Sequence, residues 1–79
     1  MSEFINGKWG IFIKNILTPR EREVFEYLIK HKSTKEIAKE LNISEKTVRN
    51  HISNTMQKLG VKGRAGAVIE LLKLNELSL

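Results

Sequence analysis

The stretch from Thr34 to Leu59, TKEIAKELNISEKTVRNHISNTMQKL, decides how this chain folds. Its first part has helical spacing, with Ile37, Ala38 and Leu41 on one stripe. Either Ser33 or Thr34 can cap that helix, and Ser33 with Glu36 has capping-box spacing. Asn42 follows, a residue that tolerates the left-handed conformation needed to end a helix and turn the chain. Ile43 is the apolar residue expected under the turn, and Ser44 is the cap of a second helix running from Glu45 to Leu59. Small Ala38 permits a close approach of the two helices, Asn42 makes the corner, and Val48 closes it from the far side. Jointly these positions give a helix-turn-helix pattern.

The second of these helices divides sharply by angle, at about 100° per residue. Val48, Ile52, Thr55, Met56 and Leu59 fall on one side; Lys46, Thr47, Asn50, Ser53, Asn54 and Gln57 fall on the other, flanked by Arg49 and Lys58. A merely solvated helix usually pairs Glu with Lys four residues apart. Here the outer face has no acid after Glu45 and is rich in amides, hydroxyls and bases. Those groups hydrogen-bond base edges: Asn to adenine, Lys or Arg to guanine, Ser and Thr to either. We therefore expect Lys46, Arg49, Asn50 and Ser53, with Thr47 and Asn54 beside them, to contact bases of double-stranded DNA. Thr34 and Lys35 sit at a helix amino end, where backbone amides and the helix dipole favour a phosphate. Ser44, Lys58, Lys62 and Arg64 complete the expected phosphate contacts. His51, at the edge of the apolar stripe, reads as a core-edge histidine, and Met56 as core.

The flanks read as support. Thr18-Pro19-Arg20-Glu21 announces an earlier helix: Thr18 caps, Glu21 completes a capping box, and Pro19 occupies the first helical position. Val24, Phe25, Leu28 and Ile29 then recur toward the core. Gly60 ends the recognition helix, and a fourth helix is expected from about Arg64 to Leu74. Ala67, Val68, Leu71 and Leu74 form one stripe of it, and Ala65, Ile69 and Leu72 a second; Gly66, Glu70 and Lys73 keep the rest polar. One domain face needs a stripe of about 100°, and the surplus marks an interface. We expect a homodimer contact through Ala65, Ile69, Leu72 and Lys73, the alternative being that an N-terminal arm covers the surplus. Residues 1–16 fit neither period; Asn6-Gly7 signals a turn, and an arm laying Trp9 and Phe12 on the domain competes with a disordered tail.

With 79 residues the chain allows one small all-α domain, residues 17–79, behind the arm 1–16. It has no cysteine and two distant histidines, His31 and His51, which excludes disulfides and gives no basis for a zinc site. No apolar run approaches the ~20 residues of a membrane span, and Asn6, Gly7, Lys8 and Gly10 break any secretory signal, so a cytoplasmic protein is expected. The net charge is +5, and most of it lies at Lys46, Arg49, Lys58, Lys62 and Arg64 against Glu45 alone, a field suited to a polyanion.

From Leu17 to Leu74 the sequence resembles the LuxR-type helix-turn-helix family. Leu17-Thr18-Pro19-Arg20-Glu21-Arg22-Glu23-Val24, Lys35-Glu36-Ile37-Ala38, Ile43-Ser44-Glu45-Lys46-Thr47-Val48, His51, Lys58-Leu59-Gly60-Val61 and Arg64 carry the likeness. Residues 34–38, 44–54 and 56–64 bring it nearest to a stand-alone branch that regulates late spore-coat genes. The resemblance implies four helices, DNA binding through the third and dimerisation through the fourth. Most members add an N-terminal receiver or ligand-binding domain, so a fragment of a larger response regulator is the alternative. Asn42 stands where the family often has Gly, a change the turn tolerates.

A competing class is a sigma-factor-like adapter whose helices bind RNA polymerase, against which the acid-poor outer face argues. An enzyme is disfavoured: no nucleophile–base spacing, metal set or glycine-rich phosphate loop appears, and neither a cofactor nor a small-molecule ligand is implied. The cap assignment is directly testable. Thr18→Ala should lower unfolding free energy by about 1 kcal/mol in a denaturant titration.

Overall fold

The computed structural model describes residues 16–79. The expected arm, residues 1–16 with Trp9 and Phe12, lies outside the described residues except for Ile16. Four helices follow: α1 Pro19–Leu28, α2 Thr34–Leu41, α3 Glu45–Leu59 and α4 Arg64–Lys73. Among the described residues there is no strand. Each expected element is present, with Leu74 forming the C-cap of α4.

The helix starts follow from short polar side chains. Thr18 Oγ1 accepts from the Glu21 amide at 3.1 Å, and Glu21 Oε1 accepts from the Thr18 amide at 2.9 Å. Ser33, not Thr34, caps α2, through the same reciprocal pair with Glu36 at 3.1 and 2.8 Å. Ser44 Oγ accepts from the Thr47 amide at 3.0 Å and opens α3. Two orphan donors are satisfied by each capping box.

The helix ends share one device. His31, Asn42, Gly60 and Asn75 are all left-handed, with φ of 65, 58, 69 and 60°. In each case the next amide reaches back to close the last turn: Lys32 to the Tyr27 carbonyl (3.2 Å), Ile43 to Ala38 (3.0 Å), Val61 to Met56 (3.1 Å) and Glu76 to Leu71 (2.8 Å). This is the Schellman pattern. Asn42 and Gly60 are the ends that composition marks; His31 and Asn75 are two it does not.

Around these ends the core closes. Val24 and Phe25 of α1, Ile37 and Ala38 of α2, Val48 and Ile52 of α3, and Ala67 and Leu71 of α4 are buried, joined by Leu17 and Leu77 from outside the helices. Leu28, Ile29, Leu41, Ile43, Met56 and Leu59 are half-buried against this cluster, as their positions predict. α2 packs on α3 across the Asn42 corner, α1 packs on α3, and α4 packs on α3. α3 is thus the common neighbour of the other three.

The left-handed ends make opposite predictions at two positions. A side chain costs roughly 1 kcal/mol in that conformation and glycine almost nothing. Gly60→Ala should therefore lower stability by about 1 kcal/mol, and exposed His31→Gly should leave it unchanged or raise it, both read from thermal melts.

Candidate nucleic-acid interface

Because α3 touches every other helix, its inner face is fully committed. Val48 and Thr55 are 0% exposed and Ile52 is 2% exposed. Thr55 is polar yet buried, and its hydroxyl donates to the His51 carbonyl one turn back at 2.9 Å. His51 itself is half-buried, at the edge of the stripe as expected, and its ring makes no hydrogen bond to a described residue.

The outer face is the reverse. Lys46, Arg49, Asn50, Ser53, Asn54 and Gln57 are exposed on one helix, so their side chains form a continuous polar surface. Asn50, Ser53 and Asn54 make no side-chain hydrogen bond to a described residue, which leaves their donors and acceptors available. Arg49 reaches Glu45 at 3.5 Å, but both are largely exposed and such a pair contributes little. Thr47 is half-buried, and its Oγ1 lies 2.9 Å from Ser44 Oγ, so these two hydroxyls are engaged with each other.

The other expected contacts sort by what holds them. The α2 capping box uses the Ser33 and Glu36 amides, and no described residue accepts from those of Thr34 and Lys35. Glu36 is held below the ordinary carboxylate range chiefly by the Ser33 amide, then by the Ser33 hydroxyl, with Lys32 adding to the effect against slight desolvation. Lys62 and Arg64 are exposed and flank the start of α4, where Gly63 supplies no side-chain cap. Lys58 differs from the expectation: its Nζ donates to buried Glu21 at 2.6 Å and to the Ile16 carbonyl at 3.2 Å. On α4, Ala65, Ile69 and Lys73 are exposed, Ile69 at 53%, while Leu72 is half-buried against the core.

Two pairs with no counterpart in the sequence reading emerge. Glu21, expected only as a capping-box partner, also binds Lys58 across 37 residues. Arg22 Nη2 donates to Glu76 Oε1 at 2.6 Å, and its Nη1 donates to the Glu76 carbonyl. Neither pair has a periodic signature; only the pairing of a lone acid with a distant base could have suggested them.

A corner of two packed helices, the second with a committed inner face and a free polar outer face, defines a helix-turn-helix DNA-binding module. The family described as bacterial regulatory proteins, luxR family, matches residues 15–71. The spore germination protein GerE of Bacillus subtilis (strain 168) is 73% identical over 66 residues, covering 84% of this chain and 89% of GerE. The transcriptional regulatory protein DesR of the same organism is 54% identical over 54 residues, covering 68% of this chain but 27% of DesR. Among solved structures, that of the transcription factor GerE superposes with a TM-score of 0.80 at 64% identity, covering 81% of this chain and 96% of that one. The chain belongs to the luxR family of bacterial regulatory proteins, and it is a DNA-binding transcription regulator.

The Glu36 cap carries a pH signature. A carboxyl whose folded pKa is depressed contributes stability above its unfolded value and loses it as pH falls through the folded value. The melting-temperature gap between the native chain and Glu36→Ala should therefore be full at neutral pH and shrink as the pH is taken below the ordinary carboxylate range.

Proposed function

We propose that this protein is a dimeric, sequence-specific transcription regulator that lays α3 in the major groove, acts in the cytoplasm and serves sporulation-stage gene control. The observation that carries the DNA reading is the contrast within α3, between an inner face packed in the core and an exposed outer face rich in amides, hydroxyls and bases. Lys46, Arg49, Asn50 and Ser53 are the base readers, with Asn54 adjacent and Thr47 aligned by Ser44. Thr34 and Lys35 offer free amides to a phosphate at the start of α2. Exposed Lys62 and Arg64 bring side-chain charge to the phosphates beside the start of α4, which has no side-chain cap. Lys58 is left out of this set, because its charge is already matched by Glu21. Exposed Ile69 with Ala65, Leu72 and Lys73 forms the two-fold contact.

The sporulation role rests on the likeness to GerE, named for spore germination, whose length this chain nearly matches. A second reading has a specific basis: DesR is matched over only about a quarter of its length, so the same domain also serves as one part of larger regulators. RNA polymerase would be a further partner of either form during activation.

Base readers and phosphate contacts should separate in a salt series. Asn50→Ala should cost about 1–3 kcal/mol on the preferred site and relax discrimination at one position. Lys62→Ala should weaken all duplexes alike and lower the salt slope by about one. Identical behaviour of the two variants would defeat the assignment. Selection from random duplex DNA, with the mass of the complex measured in parallel, should return an inverted repeat bound by two chains.

A further inference from the structure

α4 is attached unequally at its two ends. At its start Gly63 provides no side-chain cap, and the link from Gly60 runs directly out of α3. Along its length Ala67 and Leu71 pack into the core, contacts that are apolar and non-directional. Its far end is held quite differently. Left-handed Asn75 folds the chain back, the Glu76 amide bonds the Leu71 carbonyl at 2.8 Å, and Leu77 is buried beside it. The Glu76 side chain, 2% exposed, then receives Arg22 Nη2 at 2.6 Å, while Arg22 Nη1 donates to the Glu76 carbonyl. Arg22 belongs to α1, whose own start is tied to α3 by the Glu21–Lys58 pair.

We propose that the Arg22–Glu76 pair is a positioning element: it sets the angle of α4 against the recognition helix, and so the spacing between the two DNA half-sites that a dimer reads. The inference rests on the α4 dimer contact proposed above. A planar guanidinium bonding both a carboxylate and the adjoining carbonyl is directional in a way that apolar packing is not. Glu76 is buried but Arg22 is 37% exposed, so the pair contributes little net stability, and what it offers is one fixed arrangement among several. At 1.5 Å per residue, α4 is a lever of about 15 Å. In a two-fold dimer a tilt of that lever enters twice, once from each subunit.

The full chain would be titrated with a single half-site duplex, with the selected inverted repeat, and with that repeat lengthened or shortened by one base pair. Arg22→Gln should keep half-site affinity within about twofold and lose a spacing preference that is about tenfold or more in the native chain. The exchanged pair Arg22→Glu with Glu76→Arg should restore the preference. Half-site and paired-site binding falling together, or a folded variant with an unchanged spacing preference, would overturn the proposal. If circular dichroism shows Arg22→Gln unfolded, Glu76→Ala, which removes the carboxylate and leaves no buried charge, supplies the same measurement. Unfolding of both would also overturn it, by reducing the pair to a folding element. Ile69→Asp separates the underlying reading: paired-site binding unchanged by that substitution means that α4 is not the dimer contact, whatever Arg22 does.

Discussion

The carboxylate of Glu21 is the interaction on which the rest of the domain depends. It is 4% exposed, and one oxygen accepts from both the Thr18 amide and the Lys58 ammonium. The same group therefore helps to start α1 and holds the carboxyl end of α3. A buried carboxylate is tolerable only when its charge and lone pairs are met, and here a cap and a cation from two helices meet them together. The start of α1 and the end of α3 are thereby tied to one carboxylate. This reciprocity compensates for a small core, which on its own gives a chain of this length little margin.

Much of the fold was legible because it is written locally. Ser44, Asn42 and Gly60 announce their roles by residue type, and Val48, Ile52 and Thr55 by spacing, so the edges of α3 and its two faces could be read directly. The choice between Ser33 and Thr34 was open because both have the chemistry; only the bonds to Glu36 decide it. His31 and Asn75 escaped notice because histidine and asparagine, though tolerant of the left-handed state, mark a helix end only where the spacing around them also points to one. The outer-face side chains of α3 were legible as a composition, but what their atoms already bond was not. Lys58 looked like one more base on the flank, and its engagement with Glu21 follows from a contact 37 residues away.

α4 shows the same division. The sequence offers two apolar stripes, and the surplus one was expected at Ala65, Ile69 and Leu72. The fold takes Ala67 and Leu71 inward and leaves Ile69 out. The tail beyond the helix, which periodicity cannot describe, contributes Leu77 to the core and Glu76 to Arg22. Residues that lie outside every helix thus share in fixing where a helix points.

The separation of the two faces of α3 has a consequence for change over time. The side chains of Asn50, Ser53 and Asn54 bond no described residue, whereas Val48, Ile52 and Thr55 are buried on the face packed against the other helices. Surface substitutions away from caps and pairs typically shift stability by no more than about 0.5 kcal/mol. The outer residues can accordingly be respelled one at a time with the scaffold unaware of the exchange. A helix anchored in this way acts as a fixed holder for an interchangeable text, so that its outer face can be rewritten without the domain having to learn to fold again.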